Sequence, residues 1–279
     1  MANYVIDLSP NITNPASEGS MDTSLMNGKS IQRTCNGMMI VNGANRKMVG
    51  RLADGDTFNN IVEGVKAGVY ILINDSYVDY DSTPPASSSR EPNNLMAIMD
   101  AADIGYETFI DIGQATFSSF STDSKILIPE LEENDLNPDL TSGARSAINN
   151  FVNNGGTLIV CEPDNGDILS VLNDTFEFNL SANGASEPIS LTEEGSLLFP
   201  DESSTLPSLS ATDSVDSSTL PENSVVVYEG DGLNQSVVTM IPYGNGKIYI
   251  LGWDFYDAPP TGGENEQGWN HLLETILKS

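Results

Sequence analysis

Residues 243–260 read YGNGKIYILGWDFYDAPP and run on into GGENEQGWNHLLETILKS. Gly244-Asn245-Gly246 is turn chemistry, and it feeds an apolar run, Ile248-Tyr249-Ile250-Leu251, that stops at Gly252-Trp253-Asp254. Beyond it, Trp269, Leu272, Leu273 and Ile276 recur at helical spacing and predict a helix over about 266–277, which carries the only histidine, His271. Read together, these are the last strand and last helix of an α/β domain.

Upstream the same alternation recurs. Val69-Tyr70-Ile71-Leu72-Ile73-Asn74-Asp75 is a near-continuous apolar run, as expected of a parallel strand buried on both faces. Pro92 opens a helix over 93–104 with Leu95, Ile98, Met99 and Ala102 on one face, and Gly105 ends it. Shorter strands are expected at 106–111 and 125–129. Thr141 or Ser142 then caps a helix whose buried stripe is Ala144, Ala147, Ile148, Phe151 and Val152, closed by Asn154-Gly155-Gly156. Thr157-Leu158-Ile159-Val160-Cys161 is the next strand, and 167–173 a short helix. Strands separated by helices in this way are parallel, which specifies a three-layer, flavodoxin-like, mostly parallel sheet over 67–279.

Two segments break the pattern. Residues 174–223 are rich in Ser, Thr, Pro and acid and read as an insertion, an ordered surface excursion with small strands. Strands at 224–228 and 236–241 around Asp231-Gly232 then give an antiparallel meander into the final strand. Residues 1–66 read as a small β-rich N-terminal extension, with hairpin chemistry at Asn42-Gly43 and Asp54-Gly55 behind a polar lead-in over 9–30 that drapes over a surface.

The formal net charge is −29 over 279 residues, yet 39% of residues are apolar, enough to build a core. Residues 1–66 balance six basic against six acidic groups, so the imbalance lies beyond them. Between Arg145 and Lys247 there is no lysine or arginine. Such a surface repels phosphate backbones and anionic headgroups, which excludes nucleic acid as a partner and leaves solubility in a salty or calcium-rich medium as its plain use. No segment is apolar for long enough to insert into a membrane, and the first residues have no cleavable-leader pattern. Cys35 and Cys161 are too far apart in sequence to suggest a disulfide framework or a zinc site. No calcium loop of the D-x-D-x-D-G type is present; Asp75, Asp79 and Asp81 come closest and are the candidate metal ligands.

The strand ending Asn74-Asp75, the strand and turn KILIPELE, the helix ending FVNNGG, the strand LIVC and the closing GKIYILGWD together resemble a class I glutamine amidotransferase-like domain over about 67–279. Gly252-Trp253-Asp254-Phe255-Tyr256-Asp257-Ala258-Pro259-Pro260, followed by Gly268-Trp269, is similar to a non-catalytic subset of that family found in secreted and surface proteins. The resemblance implies a nucleophilic cysteine at a strained turn after a central strand, paired with a histidine just past the last strand. Cys161 ends the matching strand, but Glu162-Pro163-Asp164 follows it where a glycine-containing turn is expected, and Trp253 and Asp254 stand in place of the histidine.

Cys161, Asp254 and His271 are therefore the catalytic candidates. Asp75, Glu130, Glu162, Asp164 and Asp254 are expected along the carboxyl rim of the sheet, where ligands gather. There Asp254 either caps the closing turn or acts on a sugar as acid or base. The reading that follows is a non-catalytic structural or interaction module in a surface, extracellular or virion-associated assembly, with self-association or a protein partner and no cofactor. The alternatives are a hydrolase acting on a carbohydrate or amide through the carboxylate rim, and a calcium-dependent adhesion or assembly unit.

Overall fold

The computed structural model describes residues 68–82, 87–163 and 167–279 throughout, together with the backbone of four strands within 22–51. The chain divides into two compact units, Met1–Lys66 and Ala67–Ser279. In the first, β1 (Asp22–Met26), β2 (Lys29–Arg33), β3 (Met38–Gly43) and β4 (Arg46–Arg51) form an antiparallel sheet in chain order. β1 and the start of β2 fall inside the stretch expected to be a polar lead-in. Their sequences, DTSLM and KSIQR, are short and mixed in polarity, so no apolar period marks them. Cys35 and Asp54-Gly55 lie outside the described residues.

The second unit is a mixed α/β structure with helices and one eleven-stranded sheet. In order along the chain it contains β5 (Val69–Leu72), α1 (Glu91–Ala101), β6 (Tyr106–Phe109), α2 (Gln114–Ser119), β7 (Lys125–Ile128), α3 (Ser142–Asn153) and β8 (Thr157–Cys161). It continues with α4 (Asp167–Phe176), β9 (Ala182–Gly184), β10 (Ile189–Leu191), α5 (Glu193–Leu198), β11 (Thr205–Leu206) and β12 (Asp213–Asp216). The last elements are β13 (Val225–Glu229), β14 (Gln235–Tyr243), β15 (Gly246–Leu251) and α6 (Trp269–Lys278).

Five strands run parallel, in the spatial order β6-β5-β7-β8-β15, and β14, β13, β10 and β11 continue antiparallel from β15. The central β8 is buried at every position, which is why its sequence is uninterrupted TLIVC. Alternate residues serve the two faces. Ile126, Ile128, Leu158, Val160, Ile248 and Ile250 join the cluster that holds the buried stripes of α3 and α4. Leu127, Ile159, Cys161, Tyr249 and Leu251 join the other, with α1 and α6.

Local chemistry sets the ends of these elements. Thr141, not Ser142, caps α3: its hydroxyl accepts from the Ala144 amide at 3.1 Å, a contact of a kind that contributes ~1 kcal/mol. Gly155, at φ +119, closes that helix, with its own amide on the Val152 carbonyl and the Gly156 amide on that of Phe151. Gly252 is required for a different reason. A Cβ there would lie 2.2 Å from the Asp213 carbonyl and 2.6 Å from that of Val237, so only glycine lets the last parallel strand pass against the insertion.

The insertion is more than a surface excursion. β10 pairs with β13, β11 with β10, β12 with β14 and β9 with β12, so its short strands extend the main sheet. They cover main-chain groups of β13 and β14 that would otherwise form an open edge. No helix among the described residues is long and apolar enough to cross a membrane.

Candidate functional site

The carboxyl ends of β7, β8 and β15 meet the start of α1 at one rim of the sheet. Cys161 is the last residue of β8, 0% exposed and free of any disulfide. The strained position is the next one: Glu162 has φ 52, and its amide donates to the Leu251 carbonyl at 2.7 Å. The sulfur thus stays within the strand, packed with Ile159, Leu251 and the residues of α6. Burial pushes its pKa well above the ordinary thiol range, and the charges of Asp254, Glu130 and Glu162 push the same way. A nucleophilic thiolate is disfavoured in such surroundings.

His271 does not face this sulfur. On α6 its side chain is 58% exposed, and Nδ1 lies 2.9 Å from a Glu202 carboxylate oxygen that is itself buried. The other oxygen of Glu202 accepts from Thr275 Oγ1 at 2.5 Å, so one carboxylate ties the insertion to the closing helix. That hydrogen bond raises the His271 pKa. Trp253, in the place where the resemblance calls for histidine, is fully buried, with ring centroids 4.7 Å from Phe255 and 5.9 Å from Trp269.

What the rim does bring together is carboxyls. Oxygens of Glu91, Glu130 and Asp254 lie within 4.8 Å of one another, and Glu91 and Asp254 are 2% and 4% exposed. Burial raises Glu91 to about 8, helped by the charges of Glu130, Glu132 and Asp254 and opposed by a backbone hydrogen bond. Burial likewise raises Asp254 to about 7, against the pull of the Tyr256 amide, with Glu132 and Glu264 adding to the rise. That amide donates to Asp254 Oδ1 at 2.8 Å, closing the turn after Trp253.

The loop is held from the other side by α1. Asn94 Nδ2 donates to the Phe255 carbonyl at 2.8 Å and to the Ser88 carbonyl at 2.7 Å, and Thr261 bonds its Oδ1. Asp257 donates its amide to the same Ser88 carbonyl. Phe255 and Asp257 both sit at positive φ, at 70 and 50, so these contacts hold a backbone that side-chain-bearing residues rarely adopt.

The candidate metal ligands are redistributed. Asp79 groups with Glu91 and Glu132 rather than with Asp75 and Asp81, and it pairs with Arg90. The cause is local: Asn74 Oδ1 accepts from the Ser76 amide in the turn after β5, and the Asp81 amide is drawn to Asn93 Oδ1 on α1. Exposed Asp75 and half-buried Asp81 join neither oxygen group. Asp164 lies outside the described residues. Glu91 is the rim residue that sequence reasoning missed. An acid beside Pro92 at a helix start reads as a dipole partner, and only the fold shows it turned into the interior.

No family model matches the chain, and no curated protein matches it. Solved structures with some likeness include an exo-beta-1,4-mannosidase, Op5Man5, from Opitutaceae bacterium strain TAV5, 12% identical at a TM-score of 0.39 over 70% of this chain and 32% of that one. The cytoplasmic protein STM1381 from Salmonella typhimurium LT2 is 14% identical at 0.47, over 75% and 96%. A beta-galactosidase from Bacillus circulans sp. alkalophilus is 12% identical at 0.48, over 76% and 30%. The chain thus spans about a third of the length of these two glycosidases. At these scores none of the likenesses assigns chemistry to the rim.

Proposed function

We propose that the chain is a non-catalytic structural or interaction module, built on an amidotransferase-like scaffold with flavodoxin-like layering and used in a surface or extracellular assembly. The observation that carries this reading is the sealing of the position where a nucleophile would act. Cys161 is 0% exposed within its strand, one residue short of the strained turn, while the only histidine bonds Glu202. The β6-β5-β7-β8-β15 order and the two helix-bearing clusters support the layering.

On this reading the rim carboxyls serve as an internal latch. Three carboxylates at such separations cannot all stay charged without a counter-charge, and protons held by Glu91 and Asp254 let them pack. Asp254 then fixes the turn, and Asn94 fixes the loop. The acidic surface disfavours nucleic acid as the partner and leaves protein or self-association.

Hydrolysis of a carbohydrate or amide through the rim is the competing reading, and the raised Glu91 and Asp254 are what favour it, since an acid near neutrality is what such chemistry uses. Their burial opposes it, because a sugar ring cannot reach carboxyls that are 2% and 4% exposed. Broad amidase and glycosidase assays of the wild type and Asp254→Asn decide between the two. The proposal expects no turnover by either protein. Turnover by the wild type that vanishes in the variant contradicts it.

A further inference from the structure

Away from the rim, one face of α3 and the end of α4 enclose an open groove of about 520 Å³ whose walls include Arg145, Asn149, Asn150, Asp174, Glu177 and Tyr243. Its size falls in the range of small-molecule sites. Arg145, Asn149 and Asn150 come from successive turns of α3, on the side of the helix away from its buried stripe, while Asp174, Glu177 and Tyr243 come from α4, the residue after it and the end of β14.

The polar groups in it are already oriented. Asn149 Nδ2 uses its hydrogens on the Thr175 carbonyl at 2.9 Å and the Tyr243 hydroxyl at 2.8 Å. That leaves the Asn149 amide oxygen to accept, and it leaves the Tyr243 hydroxyl with its own proton to donate. The Tyr243 ring is held edge-on by Phe176 and Phe178, at centroid distances of 4.8 and 5.9 Å, and forms a fixed aromatic wall. Arg145 is anchored on the Leu140 and Asn137 carbonyls, with Asp174 3.8 Å away, so its charge is largely offset within the groove. Asp174 and Glu177 are exposed and add acceptors.

We infer that this groove binds a small neutral polyhydroxylated ligand, a mono- or disaccharide. Each sugar hydroxyl both donates and accepts, which matches donors and acceptors set side by side, and a sugar ring has an apolar face for an aromatic wall. An anionic ligand would be repelled by a chain of net charge −29. A small cation, which Asp174 and Glu177 together would favour over the single charge of Arg145, is the other occupant that the test includes.

The test uses the full chain with glucose, galactose, N-acetylglucosamine and cellobiose as probes, followed by ligand-observed NMR and calorimetry. Binding of at least one probe at millimolar concentration is expected. Glu177→Gln and Asn149→Ala should each weaken it about tenfold. Glu177 is exposed, so its variant should keep the wild-type melting temperature even if loss of the Asn149 contacts loosens α4. Failure of all four sugars to bind overturns the inference, as does binding that neither substitution changes, or binding of lysine or spermidine in their place. Cys161 and the carboxyl rim take no part in the groove, so this outcome is separate from that of the proposed function.

Discussion

Glu91→Gln removes one titrating group from the buried rim while keeping its size. In the wild type the carboxyl is 2% exposed and raised from 4.5 to about 8, chiefly by burial. Between those values the folded protein holds a proton that the unfolded chain has released. The stability this carries is complete below about pH 4.5 and is lost as pH climbs through about 8. At ~1.4 kcal/mol per pH unit, the full loss is on the order of 5 kcal/mol. Glutamine is neutral throughout, so the variant escapes that loss. Urea unfolding across a pH series, scored as the difference between the two proteins, isolates the effect, because the other carboxylates of this acidic chain contribute to both. The two should be close in stability at the acid end, and the variant should be the more stable by several kcal/mol at the alkaline end. A difference that does not change with pH would refute the assignment of a buried, proton-holding Glu91.

Asn94→Ala removes the donor to the Ser88 and Phe255 carbonyls and should cost about 2–4 kcal/mol in urea unfolding, with faster amide exchange at Asp257 as its local signature. His271→Ala should cost no more than ~1 kcal/mol, since the side chain is largely exposed. Because the His271 pKa is raised, that cost should be present below about pH 6.5 and fade as pH rises through the raised value; a cost that grows toward alkaline pH would contradict the Glu202 pairing.

The fold was legible where burial on both faces forces an apolar run. Thr157–Cys161 and Gly246–Leu251 stand out for that reason, and the stripe of Ser142–Asn153 stands out because its polar face is so consistently Ser, Asn and Arg. Gln114–Ser119 did not, because six residues of QATFSS contain one buried anchor, Phe117, and cannot display a helical period. The strands of the insertion are two to four residues long and are defined by the edge they cover rather than by their own pattern. The rim was half legible. Placing Glu130 and Asp254 follows from knowing which strands are parallel, whereas Glu91 reaches them through the angle at which α1 enters the structure, and no local signal encodes that angle. Asp75 and Asp81 failed as partners of Asp79 because side-chain bonds from Asn74 and Asn93 set the path of their loop.

The reactivity of Cys161 in the native protein bears most directly on the claim that the nucleophile's position has become packing. The protein is exposed to a thiol-alkylating reagent at neutral pH, digested, and the Cys161 peptide quantified against a denatured control. Alkylation at Cys161 only on unfolding is the predicted result, given a sulfur that is 0% exposed with a raised pKa. Rapid stoichiometric labelling of native Cys161 would contradict the account.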